Sequence, residues 1–283
     1  MLSIVIPAKN ESAGLKSILG PLRGLYPEAE IIVVDDGSTD DTAQVAKDAK
    51  VRVLSSPYSM GNGASIKNGC RNASGSVLVF MDGDGQHRPE SIALLLAKLE
   101  QGYDMVVGAR TSQAQASLPR RLANQFYNFL ASVITGHPVA DLTSGFRAVN
   151  AEKFSQFLHM LPNGFSYPTT STMAFFRSAY RVAFVPVDVE KRRGATSHIR
   201  PLKDGVRFLL IIFKIATLYS PLKLFVPVAA AFFASGFGYY LYTYLTQHRF
   251  TNMSVLLLSG AVIVFLIGLV SEQITNLLYQ QQK

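Results

Sequence analysis

At 283 residues the chain has room for one large domain or for a domain with an appendage, and 48% hydrophobic content is high for a protein surrounded by water. The net charge of +8 is local: residues 1–190 carry 17 basic and 17 acidic side chains, whereas 191–214 carry 7 and 1. A neutral folded part argues against nucleic acid as a partner, and a single cysteine, Cys70, excludes an intrachain disulfide and fits a reducing compartment.

Met1 leads directly into a strand pattern, "LSIVIPA", with no signal peptide in view, so the bulk of the protein is expected to stay where it is made. "EIIVVDD" and "SVLVFMD" are two further continuous apolar runs, with "VRVLSS" a shorter strand between them. Helix patterns are expected near 12–24, 39–49 and 63–73. "DMVVGAR" and "RVAFVPVDVE" add later strands, and residues 111–117 are small and polar, as in a loop. Strands buried on both faces and alternating with helices predict an α/β, mostly parallel open sheet, which binds ligands at the carboxyl ends of its strands.

Three of those strand ends carry polar groups: Pro7-Ala8-Lys9-Asn10-Glu11, Asp35-Asp36-Gly37-Ser38, and Asp82-Gly83-Asp84-Gly85-Gln86. Asp82 and Asp84, one residue apart, can approach one hard divalent cation, with the amide oxygen of Gln86 as a further ligand and phosphate oxygens completing the shell. A plain turn is the competing reading, since Asp and Gly are turn residues. An EF-hand fails, because its sixth and twelfth positions here are His87 and Ala93. In "DDGSTDDT", Ser38 or Thr39 is expected to cap the next helix, with Asp40 and Asp41 complementing its dipole. "MGNGASIKNG" departs from the dinucleotide fingerprint and reads as backbone approaching a ligand. Lys67 reads equally as a phosphate partner or a solvated surface lysine. The five histidines show no zinc spacing.

The basic stretch "KRRGATSHIRPLKDGVRFLLIIFK" precedes two uncharged runs, 22 residues from Leu224 to Leu245 and 18 from Met253 to Val270. Each matches the length that crosses a hydrocarbon core of about 30 Å. Aromatics cluster in "FGYYLYTYL", as at membrane interfaces. The expected organisation is a catalytic domain over 1–190, a basic juxtamembrane segment over 191–220 with a helix lying in the interface, and a transmembrane hairpin over 221–283, spanning at about 222–246 and 253–272. The bias of Lys and Arg puts the large domain on the cytoplasmic side, which is the plasma or inner membrane in a bacterium.

Taken in order, "IPAKNE", "EIIVVDDGSTDDT", "GNGASIKNG", "DGDGQHRPE", "VVGAR", "DLTSGFR" and "RRGATSHIRP" resemble the family 2 glycosyltransferases of the dolichyl-phosphate mannose synthase type, over nearly the whole chain. The resemblance implies the GT-A fold, and inverting transfer of one sugar from a UDP- or GDP-linked donor to a polyprenyl phosphate such as undecaprenyl or dolichyl phosphate. It also implies Mg2+ or Mn2+ as cofactor, the lipid membrane as a partner, and allows a homo-oligomer. Residue by residue, it implies that Pro7, Ala8, Asn10, Glu11, Asp36, Lys67 and Asp82 meet the donor nucleotide, and that Asp82, Asp84 and Gln86 hold the metal. Arg110, Arg120, Asn124, Ser144 and Arg147 would face the acceptor phosphate, with Asp84, Asp141 and Arg120 as catalytic groups. Lys9, Asn124 and His198 depart from the residues usual at their places.

A phosphate monoester, with its second pKa near 6, is already an anionic nucleophile at neutral pH, so no strong general base is needed. The requirement is charge against the leaving diphosphate and arginines that orient the acceptor. Arg120 and Arg121, ahead of the amphipathic pattern "LANQFYNFLASVI", suit the second part, although a solvated helix start would look the same. Two alternatives remain at this level. A processive polysaccharide synthase would carry a Gln-x-x-Arg-Trp signature, and this chain has no tryptophan. A non-catalytic membrane tether would be expected to lose the metal carboxylates, which are intact.

Overall fold

The computed structural model describes residues 1–110, 118–164, 166–190, 213, 217 and 219–280, with the backbone alone for 118–123 and 280. The expected loop 111–117, His198 and most of the expected interface helix over 201–219 therefore lie outside the described residues. The chain divides into two compact units, 1–205 and 206–283.

In the first unit a seven-stranded sheet runs in the order β3-β2-β1-β4-β6-β5-β7. Its strands are β1 (Leu2–Ala8), β2 (Glu30–Asp35), β3 (Arg52–Ser55), β4 (Val77–Phe80), β5 (Met105–Arg110), β6 (Arg147–Asn150) and β7 (Val182–Val187). β1 is the centre: it pairs in parallel with β2, Ile4 opposite Ile31, and with β4, Ile4 opposite Val79. Both faces of β1 are covered, which is why it reads as an unbroken apolar run. β6 runs antiparallel between β4 and β5, a reversal the apolar pattern does not announce.

Helices α1 (Ser12–Leu25), α2 (Thr42–Asp48), α3 (Asn62–Asn72) and α4 (Ser91–Glu100) follow the first four strands. α1 shows how the pattern becomes packing: Leu15, Ile18, Leu19 and Leu22 recur at helical spacing and are buried against Ile4, Ile6 and Val79. Later come α5 (Leu118–Thr135), α6 (Ala151–Ser155) and α7 (Tyr167–Arg177). The order of strands places the point where connections leave the sheet in opposite directions between β1 and β4. The crevice for a ligand in an open sheet lies there, beyond the strands' carboxyl ends.

The expected cap of α2 differs from the one found. Neither Ser38 nor Thr39 caps it, because both are drawn to the β1 end: the Asn10 N–H donates to Ser38 Oγ at 2.9 Å, and the Thr39 N–H to Asn10 Oδ1 at 2.8 Å. The first turn is held by Asp40, whose Oδ1 accepts the Thr42 N–H at 3.0 Å.

The second unit is a pair of long apolar helices, α8 (Pro221–Gln247) and α9 (Asn252–Gln280), each long and apolar enough to cross a membrane. They lie close because glycines leave room: a Cβ on Gly236 would stand 2.9 Å from Leu257, and one on Gly268 would stand 2.7 Å from Phe225. At one end Glu272 accepts the Leu222 N–H at 3.3 Å, satisfying a backbone donor at the start of α8.

Candidate active site

The end of β1, the turn after β2, the start of α3 and the turn after β4 enclose a cleft of about 400 Å3. Pro7, Ala8, Lys9 and Glu11 form one side, Asp36 the floor, Ser59, Gly61, Asn62 and Ser65 a second side, and Asp82, Gly83 and Asp84 the third. Of the residues singled out for the donor, Pro7, Ala8, Glu11, Asp36 and Asp82 are therefore brought together. Asn10 is not among the lining residues: at φ 55° it turns the chain and braces 38–39. Lys67 is also elsewhere, its ammonium donating to Leu161 O at 3.1 Å and to Asn163 Oδ1. It is neither a solvated lysine nor a lining residue, but ties α3 to the 161–163 segment.

Asp35 and Asp36 divide two tasks. Asp35 Oδ1 accepts the Ser38 N–H at 3.0 Å and so closes the turn after β2. Asp36 is buried, and its carboxylate accepts from Ser59 Oγ at 2.6 Å, Met60 N at 2.6 Å and Gly61 N at 3.0 Å. Ser59, Asn62 and Ser65 escaped the sequence reading. The signal that could have found Ser59 was a hydroxyl just before "MGNG", within reach of a carboxylate that no local turn explained.

Asp82 and Asp84 are half-exposed on the turn after β4. Asp84 Oδ1 accepts the Gln86 N–H at 3.0 Å, which fixes the turn. α1 presses on its backbone: a Cβ on Gly14 would fall 2.2 Å from Gly83 O. Gln86 does not line the cleft. Its Nε2 donates to Glu190 O at 3.2 Å, so the amide oxygen is the atom that could serve as a ligand. Among the described residues there is no cluster of three or more His, Cys, Asp or Glu that could hold a metal by itself. Two carboxylates bordering an open cleft fit instead a hard cation that takes its remaining oxygens from a diphosphate and water.

The wall beyond β4 is built differently. Asp141 is buried and makes a bidentate pair with Arg110, Nε to Oδ2 at 2.7 Å and Nη2 to Oδ1 at 3.0 Å. The Thr143 N–H adds a contact at 3.1 Å. Burial alone would raise the Asp141 pKa, but the Arg110 guanidinium outweighs it and holds the carboxyl below its ordinary range. Arg110 also donates to Thr143 Oγ1 at 2.6 Å, and among the described residues no acceptor takes its Nη1. Ser144 Oγ donates to Gly108 O at 2.6 Å and is buried.

Arg147 corrects an expectation. It is 0% exposed, and Nη1 donates to Pro168 O at 3.0 Å, Ser171 Oγ at 2.8 Å and Thr172 Oγ1 at 3.1 Å. Protein surrounds its guanidinium, so an acceptor phosphate has no approach to it; Arg147 braces the wall from behind. Next to it, a Cβ on Gly145 would stand 3.0 Å from Asp82 Oδ2, so the "SGF" segment lies directly against the first carboxylate of the DGD turn. His87 is a further part of this wall that the sequence left unassigned. It is buried, stacks on Phe146 at 4.6 Å, and has no partner for Nδ1 among the described residues. Burial pushes its pKa down to about 4, so the ring is neutral at physiological pH. Asn124 is half-exposed on α5; Arg120 is on the first turn of that helix, with its side chain outside the described residues.

Known proteins share this arrangement. A family model described as glycosyl transferase family 2 matches residues 3–158, and one described as the GtrB C-terminal hairpin matches 220–277. The glycosyltransferase AglJ of Haloferax volcanii is 27% identical, over 99% of this chain and 95% of that protein. The undecaprenyl-phosphate 4-deoxy-4-formamido-L-arabinose transferase of Pseudomonas savastanoi pv. phaseolicola is 33% identical, over 61% of this chain. The match spans little more than half, 56%, of that transferase's own length. Among solved structures, glucosyl-3-phosphoglycerate synthase from Mycobacterium tuberculosis, in complex with Mn2+, UDP-glucose and phosphoglyceric acid, superimposes with a TM-score of 0.61 at 22% identity, covering 76% of this chain and 78% of that one. The likeness establishes the GT-A-like fold. With a family model covering more than half of the chain, from β1 through the DGD turn to the end of the wall, the chain belongs to glycosyl transferase family 2.

Proposed function

We propose that the protein transfers one sugar, with inversion, from a nucleotide-sugar to the phosphate of a membrane polyprenyl phosphate on the cytoplasmic face. The observation that carries this reading is the presence in one chain of a carboxylate-lined cleft at the β1/β4 switch and a two-helix apolar hairpin of the GtrB type. The relatives support it: one is named for transfer to undecaprenyl phosphate, and the structural neighbour holds Mn2+ with a UDP-sugar. The cytoplasmic placement rests on the basic stretch before α8.

In this reading the donor nucleotide occupies the cleft, with Asp36 at its floor and Glu11 at its side. Asp82 and Asp84, with the Gln86 amide oxygen, would hold magnesium or manganese, which would supply positive charge to the leaving diphosphate. Asp141 positions Arg110 through their bidentate pair, and the Nη1 of Arg110 remains to meet the acceptor phosphate. Arg120 and Asn124 on α5 complete the acceptor side, while Ser144 and Arg147 hold the wall in place. No residue is asked to act as a strong base, because the lipid phosphate arrives ionised.

The test is a transfer assay with the full-length protein, undecaprenyl phosphate and a panel of nucleotide-sugars, with the anomeric configuration of the product read by NMR. Lipid-linked monosaccharide of inverted configuration is expected, and EDTA should abolish it. Product on soluble acceptors alone, or full activity in EDTA, would overturn the corresponding part.

A further inference from the structure

We infer that Asn128 is a positioning residue for the acceptor side: its one side-chain amide fixes the backbone on both flanks of Asp141, and through Asp141 it sets the guanidinium of Arg110. The inference rests on the proposed transferase reading and deepens it. Asn128 Oδ1 accepts the Leu142 N–H at 3.0 Å, and Nδ2 donates to Ala140 O at 2.5 Å. Asp141 is the residue between those two contacts. Its carboxylate in turn takes Nε and Nη2 of Arg110.

Asn128 lies in the interior of α5, where asparagine is a poor helix former, so helix stability gives no reason for it. Its partners give one, and they belong to a wider grip. Ser132 Oγ accepts the Val139 N–H at 2.9 Å, and Thr135 Oγ1 accepts the His137 N–H at 3.2 Å. Positions 128, 132 and 135 share one face of a helix, so three polar side chains lay the chain from 137 to 142 along α5. The three are not equivalent. Ser132 and Thr135 hold the part of the loop next to the helix end, whereas Asn128 holds the two residues that adjoin Asp141.

What the amide controls is a direction. A change of backbone at 141 that let the carboxylate swing would break the contact to Leu142 N–H, the contact to Ala140 O, or both. Leu142 is fully buried, so its freed N–H would lose its partner without gaining water. With Asp141 held, two parallel bonds fix the plane of the Arg110 fork and therefore the direction of its Nη1. A guanidinium already set in place meets a phosphate without first having to be ordered.

The experiment uses the full-length protein in detergent. Asn128→Ala removes both contacts. Asn128→Asp keeps an oxygen for the Leu142 N–H but sets the other against Ala140 O, acceptor to acceptor. Each is expected to raise the undecaprenyl-phosphate concentration giving half-maximal rate about fivefold or more, with affinity for the nucleotide that the parent binds unchanged. A stability cycle with Asp141→Asn separates positioning from plain bracing. The melting-temperature cost of Asp141→Asn should shrink by roughly half or more once residue 128 is changed, because the pair it removes is already misplaced. An equal cost in both backgrounds, or an unchanged lipid dependence, would overturn the inference. Should Asn128→Ala fail to fold, Asn128→Asp carries both measurements. A parent that makes no lipid-linked product sinks the transferase reading and the acceptor role of Asn128 with it, while the stability cycle still decides whether Asn128 holds Asp141.

Discussion

The two sides of the site hold their charges in opposite ways. On the donor side, Asp82 and Asp84 are half-exposed on a short turn that is packed from behind by α1. On the far wall, Asp141 and Arg147 are buried and hydrogen-bonded to protein, Arg147 through both Nη atoms while its Nε takes no partner among the described residues. Charge at the border of a cleft is within reach of a ligand, whereas charge buried behind the wall fixes a shape. A residue's place in a motif therefore does not tell which of the two it does. The partners it has already taken do.

Asp84→Asn should break the donor side with the largest effect. The amide keeps an oxygen to accept the Gln86 N–H, so the turn survives, but the negative charge is gone. Transfer should fall at least about 100-fold with thermal stability nearly unchanged. A large loss of melting temperature instead would make Asp84 a structural residue like those on the wall.

Arg147→Met should do the reverse. It strands buried acceptors on Ser144, Pro168 and Ser171, and a loss of about 3 kcal/mol of stability is expected from denaturant unfolding. Lys should not rescue it, because one ammonium cannot reproduce a planar fork of donors. Unchanged stability with weakened lipid dependence would return Arg147 to the acceptor.

The Arg110–Asp141 pair gives a pH-dependent test. Because the folded carboxyl is held below its usual range, its contribution is fully present above the unfolded pKa of about 4 and is lost as pH falls through the lower folded value. Asp141→Asn should cost about 2 kcal/mol at pH 7. The gap in melting temperature between this variant and the parent should close as pH is taken from 5 toward 3. A gap that stays constant with pH would mean that the charge of Asp141 contributes nothing.

How much of this was legible follows the same division. The DGD turn was readable because two carboxylates at the end of an apolar run have no packing reason to be there. Asp36 was readable as a group but not in its geometry, since its partners lie 23 to 25 residues away along the chain. β6 was invisible: it has only four residues, Arg147–Asn150, and opens with an arginine that composition places on a surface. His87 and Phe146 meet face to face although they are far apart in sequence, and no local spacing encodes that. The partners of Lys67 were illegible for the same reason, its acceptors being contributed by residues 161 and 163.

The smallest effect concerns α5. Phe126 and Phe129 project outward, Phe129 being 65% exposed, on the helix that begins with the two arginines. Phe129→Ser should change stability by no more than about 0.5 kcal/mol, because most of the ring already faces outward. If α5 meets the lipid surface, the polyprenyl-phosphate concentration giving half-maximal rate should rise several-fold, with nucleotide binding untouched. No change in lipid dependence would leave α5 as a plain surface helix.

The pairing inside the hairpin carries a consequence for how the chain is threaded. Phe225 meets Gly268, Phe232 meets Gly260 and Leu257 meets Gly236, so the two helices run antiparallel in register over most of their length. The connection between Gln247 and Asn252 is too short to do anything but reverse direction. Glu272 closes the open end against Leu222, so the start of α8 lies level with a point on α9 about two turns before that helix ends, and both leave the pair at the same end. If both helices cross a bilayer, a protease-cleavable reporter fused after α9 must therefore share its compartment with whatever precedes α8, whichever side that is.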